Sequence, residues 1–395
     1  MPGYSNDEVS SMPDNDRAGY IHDIEILRAF AILLVLFHHF NDFLEALQVP
    51  YADEAYTFLA GGRGVDLFFV ISGFVIAKGF LPKLQKAAST QAFFQQTINF
   101  WIRRFWRLAP SAWLWLIIPV ALYFFFNQSG EFGTLRGNLA GLAAGLLNIY
   151  NLYFASVFRN GQYANATFVH WTLSLEAQFY FILPFIIYLA RSRIQTVLII
   201  LVIIQLVINR SLLMRVMRTD EFFIGVLIAI WQLQRASYKK FEPTFLRWGG
   251  ARFLFICLAL FGLMVMSGRL NIVPREYRIN IAALISGITV LAASYNQNYF
   301  VRTKWLKAML LWVGSRSYAL YLIHIPVYKF VWEVYFRSIP DFPRHDHWPV
   351  LTMAYVFSCL LLTFFISELN FRFIEEPLRK RGRIIARNYL NKQNA

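Results

Sequence analysis

The chain has 395 residues, of which 57% are hydrophobic, 18% aromatic and only 15% charged, with a formal net charge of +15. So few charges exclude an ordinary soluble globular protein, in which about a quarter of the residues are charged. The positive balance does not point to nucleic acid, because Lys and Arg fall in short clusters between apolar stretches, as the positive-inside rule predicts for a membrane protein.

The first twenty residues are polar, with no apolar run ahead of a cleavage site. Residues 1–23 therefore read as a mobile cytoplasmic leader and not as a secretory signal. Apolar segments near the length of a bilayer span follow at 26–44, 64–81, 108–127, 139–156, 168–190, 195–209, 219–234, 251–268, 279–296, 311–335 and 349–371. They predict an all-α polytopic membrane protein, one bundle over 24–378, with a basic cytoplasmic tail at 379–395. Cationic clusters place the ends flanking 78–107, together with 235–247, 302–307 and 379–387, in the cytoplasm, on the same side as the N-terminus. Both termini on one side require an even number of crossings. The expectation is about ten transmembrane helices, with one additional segment between 108 and 156 broken or re-entrant. Cys257 and Cys359 lie within apolar stretches and read as packing residues.

Ionisable side chains inside such helices are costly, about 2.5 kcal/mol or more each on insertion scales, so each one needs a reason. In the first segment Arg28 and His39 stand eleven residues apart. Eleven steps bring them to within about 20° of one face, about 16 Å apart along the axis. His38 is turned about 100° away. Arg28 can pair with Glu25 one turn earlier, whereas His39 can serve as a general base near neutral pH. In the second segment Asp66 stands at the outer end, where an acid can orient a histidine on a neighbouring helix. Asp66, Phe69 and Gly73 share one face, and Ser72 looks to another. The Ser72–Gly73 pair allows close approach by a helix or by a ligand. Arg104 and Arg107, one turn apart before Pro110, are either topogenic charge or a site for one anion. Thr172, Glu176 and Tyr180 form one stripe of the fifth segment, and Ser174 with Gln178 a second; His170 reads as exposed near the outer interface. Ser317, Tyr321, His324 and Tyr328 form a further polar stripe, in which His324 reads as a structural histidine.

Taken together these segments are familiar. EILRAFAILLVLFHH, GVDLFFVISGFVI, FWIRRFWRLAP, HWTLSLEAQFYFILPF, SYALYLIHIPV and RFIEEPLRKR follow one another from about 24 to 383, and the chain resembles acyltransferase family 3, bacterial integral membrane O-acyltransferases. The resemblance implies an acyl-CoA donor, acetyl-CoA in most cases, no metal, and a glycan or other hydroxyl-bearing acceptor at the inner (plasma) membrane. It places the family's arginine and histidine on Arg28 and His39, its paired arginines on Arg104 and Arg107, its Ser-Gly element on Ser72 and its glutamate on Glu176. With Asp66 added from its position, the expected donor set is Arg28, Arg104, Arg107 and Ser72, and the expected catalytic set is His39 as base with Asp66 or Glu176 orienting it. Ala29 departs from the glycine of many members. No soluble hydrolase-like domain of the kind some members carry is expected here. Oligomeric state is not legible. The rival reading is a transporter or flippase of a lipid-linked glycan, since intramembrane charges also line solute paths. Against it, the sequence has no inverted repeat.

Overall fold

The computed structural model describes residues 20–394 except 48, 88, 161–164, 209, 270–272, 341 and 344–347. Residues 1–19 of the expected leader lie outside the described residues. Regular structure among the described residues is entirely helical. The longer helices are α1 (His22–His39), α2 (Gly64–Gln85), α3 (Thr90–Phe125), α4 (Leu135–Leu146), α5 (Tyr150–Arg159), α6 (His170–Ala190) and α7 (Ile194–Val207). They continue with α8 (Asp220–Leu233), α9 (Gly249–Ser267), α10 (Arg275–Ser294), α11 (Lys304–Ser315), α12 (Ser317–Ser338), α13 (Trp348–Asn370) and α14 (Glu376–Asn394).

Among the described residues, six stretches are long and apolar enough to cross a membrane: Gly64–Gln85, Thr90–Phe125, His170–Val207, Gly249–Ser267, Glu276–Ser294 and Pro349–Gln393. The chain is thus a multi-pass membrane protein. Helix α1 falls outside that set because Asp23, Glu25 and Arg28 put three charges among its 18 residues. Helix α2 is the central element. Of its most apolar window 72% is buried by protein, against 17% to 22% for the windows of Thr90–Phe125, His170–Val207, Gly249–Ser267 and Pro349–Gln393.

The break expected between 108 and 156 falls in the segment at 139–156, which is two short helices, α4 and α5, broken at 147–149, where Asn148 has φ 54°. The second polar stripe of α6 holds this break: Ser174 Oγ accepts from Tyr150 N at 3.0 Å, and Gln178 Nε2 donates to the Asn148 carbonyl at 2.8 Å. The segment expected at 311–335 is split at Arg316, whose guanidinium pairs with Glu368 at 2.8 Å and lies over the Phe371 ring. The basic tail is not a loose end. It is the helix α14, lying antiparallel on the first half of α3, with Gly382 against Trp106 and Gln393 against Gln95 at 3.3 Å.

Backbone contact between α2 and α8 requires glycine. A Cβ on Gly73 would collide with the Phe222 carbonyl, and one on Gly225 with the Val70 carbonyl. Gly73→Leu is therefore expected to destabilise the bundle by about 1–3 kcal/mol or more, read as a lowered melting temperature in detergent.

One end of the bundle gathers the start of α1, the turn after α10 and the joint of α11. Asp23 Oδ2 accepts from Tyr299 N at 3.0 Å, and Gly314 packs on the Glu25 carbonyl. The other end gathers the start of α2 and the end of α9, where Arg63 Nε donates to the Met266 carbonyl at 3.3 Å.

Candidate active site

His39 is the last residue of α1, and Arg28 stands in its second turn. Eleven residues at the helical rise separate them by about 16 Å. The face between them is sealed, since Ile32 and Val35 are fully buried. Any route from one to the other must run along neighbouring helices.

At the His39 end the imidazole meets a second one. His39 Nδ1 lies 2.9 Å from the Val35 carbonyl and 3.2 Å from His324 Nε2. His324 Nδ1 lies 3.2 Å from the Leu320 carbonyl, and the side chain is fully buried. A carbonyl oxygen can only accept, so His324 carries its hydrogen on Nδ1 and offers Nε2 as an acceptor. His39 Nδ1 is then the donor, shared between Val35 O and His324 Nε2. That leaves His39 Nε2 with its lone pair, the atom a general base needs. His39 is half-buried, with the Phe168 ring 5.3 Å away. His38 turns aside toward Gly62 and Ser267.

At the Arg28 end lies an open cleft of about 710 Å³. Nine cationic residues line it (Arg28, Lys78, Lys83, Lys86, Arg103, Arg104, Arg107, Arg379 and Arg383) against two carboxylates, Glu25 and Glu375. Arg28 Nη1 pairs with Glu25 Oε2 at 2.9 Å. The Arg104 guanidinium stacks on the rings of Phe100 and Tyr180, each 5.4 Å away. Such an excess of cations suits a ligand with several phosphates.

Two stripes join the ends. Between Gly64 and Ala77 every residue of α2 is buried except Phe68, Ser72 and Val75, at i, i+4 and i+7. Val75 and Gly79 reach the cleft, and Phe68 faces Tyr321 at 6.2 Å, which is itself 5.8 Å from the His324 ring. Opposite runs α6 and the turn before it, with a contact at every fourth residue. Phe168 meets His39, Thr172 donates to Tyr321 at 2.9 Å, Glu176 accepts from Ser72 at 2.6 Å and from Tyr180, and Tyr180 faces Arg104. Twelve residues of helix cover about 18 Å, which matches the separation of cleft and histidine pair. A second cavity of about 450 Å³, between α3 and α6, shares Arg104 and Tyr318 with the cleft but has mostly apolar walls.

The structure therefore brings Arg28, Arg104 and Arg107 together and puts Ser72 beside Glu176 on the path. It does not bring either proposed acid to His39. Asp66 is fully buried and pairs with Arg218 at 3.1 Å and Arg63 at 3.7 Å, while Arg218 also pairs with Glu221 at 2.9 Å and lies over Phe69 and Trp171. Arg210 and Asp220 pair alongside at 2.6 Å. A carboxylate in that setting is spent on balancing buried guanidiniums. Glu176 faces Ser72 and Tyr180 instead. The group that does contact the His39 ring, and that sequence reasoning passed over, is His324; its signal was the 317/321/324/328 stripe, which says that a face is polar but not what it touches. His170 is buried, not exposed, and its ring nitrogens approach the Thr167 carbonyl at 2.9 Å and the Ala112 carbonyl at 3.4 Å.

Comparisons with known proteins agree in kind. The profile of the family described as Acyltransferase domain matches residues 21–368. The peptidoglycan O-acetyltransferase OatA of Listeria monocytogenes is 28% identical, covering 92% of this chain and 56% of its own. The putative peptidoglycan O-acetyltransferase YrhL of Bacillus subtilis is 27% identical, with 92% and 55% covered. The O-acetyltransferase OatA of Staphylococcus aureus is 26% identical, with 92% and 58% covered. The chain thus spans little more than half the length of these curated relatives. No solved structure matches.

Proposed function

The chain belongs to this acyltransferase family, and from that premise we propose that it transfers an acyl group, acetyl first of all, from acyl-CoA to a hydroxyl of a glycan. The observation that carries the reading is a cleft of nine cations joined, by two facing stripes of α2 and α6, to a histidine whose Nε2 is left open as an acceptor. Arg28, Arg104 and Arg107 hold the phosphates of the donor. The pantetheine arm enters along Gly79, Val75, Ser72 and Phe68, opposite Glu176 and Thr172, parting the Ser72–Glu176 hydrogen bond, and brings the thioester to His39. As the acceptor oxygen adds to the thioester carbonyl, His39 Nε2 takes its proton. The resulting imidazolium keeps its Nδ1–H directed at neutral His324. The carbon–sulfur bond then breaks, and the proton passes from His39 to the departing thiolate. The names of the relatives direct attention to a cell-wall or surface glycan as acceptor.

Ten crossings suit this arrangement: α1, α2, α3, α6, α7, α8, α9, α10, α12 and α13, with α4 and α5 as the broken segment. Both termini then lie with the cationic cleft on the cytoplasmic side of the plasma membrane, where acyl-CoA is found, and His39 lies toward the other face.

Purified protein in detergent is expected to release free thiol from acetyl-CoA when a glycan acceptor is added. Arg104→Ala and Arg107→Ala should each raise KM for acetyl-CoA about ten- to hundredfold, the worth of a hydrogen bond to a charged group. Absence of thiol release, together with glycan movement across sealed proteoliposomes, would replace the enzyme by a transporter.

A further inference from the structure

Of the nine cations of the cleft, Arg28 comes from α1, Lys78, Lys83 and Lys86 from α2 and its end, and Arg103, Arg104 and Arg107 from α3, all within the part of the chain that the family profile matches. Arg379 and Arg383 come from α14, beyond the match, which ends at residue 368. This wall is built into the fold. Helices α3 and α14 are antiparallel, in register from the Trp106–Gly382 contact to the Gln95–Gln393 hydrogen bond. At Gly382 the tail helix presses on the Trp106 side chain so closely that a Cβ there would collide with it. Arg379 and Arg383 are one turn apart, so both reach the cleft from one face of α14. Glu376 braces Arg379 from the preceding turn.

The two sets of cations differ in their relation to the path. Arg104 touches Tyr180, which donates to Glu176, so the α3 set stands at the entrance to the route toward His39. The α14 set stands on a different helix, packed antiparallel along the first half of α3. Coenzyme A likewise carries its phosphates in two places. Its diphosphate joins directly to the pantetheine arm, and its 3′-phosphate sits beyond it on the ribose. That monoester carries about −1.5 to −2 charges near pH 7, enough to engage two guanidiniums.

Resting on the acyl-CoA reading above, we infer that Arg379 and Arg383 of the C-terminal helix form a subsite for the ribose 3′-phosphate of the donor. The α3 arginines and Arg28 take the diphosphate. The tail helix thereby becomes the element that distinguishes coenzyme A from donors lacking that phosphate.

The test compares acetyl-CoA with acetyl-dephospho-CoA on the full chain in detergent, by thiol release. Wild type is expected to show a KM at least about tenfold lower for acetyl-CoA. Arg383→Gln, at an exposed position where folding is not at risk, should raise KM for acetyl-CoA about tenfold and leave that for the dephospho donor within twofold. Arg379→Gln with Arg383→Gln should bring the two KM values together. Arg387→Gln, on the same helix but outside the cleft lining, should change neither. Equal KM values in wild type, or variants that shift both donors alike or shift neither, overturn the subsite while leaving acyl-CoA transfer intact. Thiol release from neither donor overturns the acyl-CoA reading itself.

Discussion

His39→Ala is expected to lower acyl transfer by about 10²- to 10⁴-fold, the usual contribution of a positioned general base, with KM for acetyl-CoA nearly unchanged. The cleft proposed to hold the donor begins at Arg28, about 16 Å away along α1, so the substitution leaves it untouched. In the proposed mechanism His324 acts through His39, as a positioning residue 3.2 Å from its Nδ1. Its replacement by alanine removes the acceptor for His39 Nδ1–H and frees the ring to turn, a misplacement worth on the order of 10²-fold in kcat. His324→Gln restores an acceptor oxygen and should recover part of that loss, which a purely packing role for His324 would not allow. Equal turnover in His39→Ala and wild type would remove His39 as the base.

Asp66→Ala should act on the fold before it acts on chemistry. Asp66 is fully buried and faces Arg218, itself almost entirely buried, at 3.1 Å. Removing Asp66 leaves Arg63 and Arg218 with Glu221 as their carboxylate, an excess of buried positive charge that destabilises by about 3–5 kcal/mol. Thermal denaturation in detergent reads this directly, and Asp66→Asn, which keeps an acceptor oxygen toward Arg218, should lose less. A stable Asp66→Ala protein that has lost turnover would instead return Asp66 to the catalytic set, where its position at the outer end of the second segment first placed it.

The difference between these two carboxylates and the histidine pair shows how far local pattern reaches. The one-face relation of Arg28 and His39, the i, i+4 stripe of Thr172, Glu176 and Tyr180, and the separation of Ser72 from the Asp66–Phe69–Gly73 face all follow from the 3.6-residue period. Each is found in the structure as spacing requires: Gly73 and Phe69 turn to α8, and Ser72 to the path. The acyltransferase resemblance was legible for the same reason, as a series of local motifs in order. What those motifs face was not legible. Asp66 meets Arg218 and His39 meets His324 across 152 and 285 residues of chain, and no periodicity connects positions so far apart. The tail likewise read as basic and cytoplasmic, with nothing in it to say that Gly382 would seat on Trp106.

By itself, then, the sequence determined that this is an all-helical membrane protein, which helix faces are polar, and which family the chain resembles, because burial in lipid and helical period act residue by residue along the chain. Only the tertiary structure decided that His39 meets a second histidine and not a carboxylate, and that the C-terminal helix closes one wall of the cationic cleft. Those outcomes depend on which helices pack together, and that is set by the balance of desolvation, ion pairing and close backbone contact over the whole bundle at once.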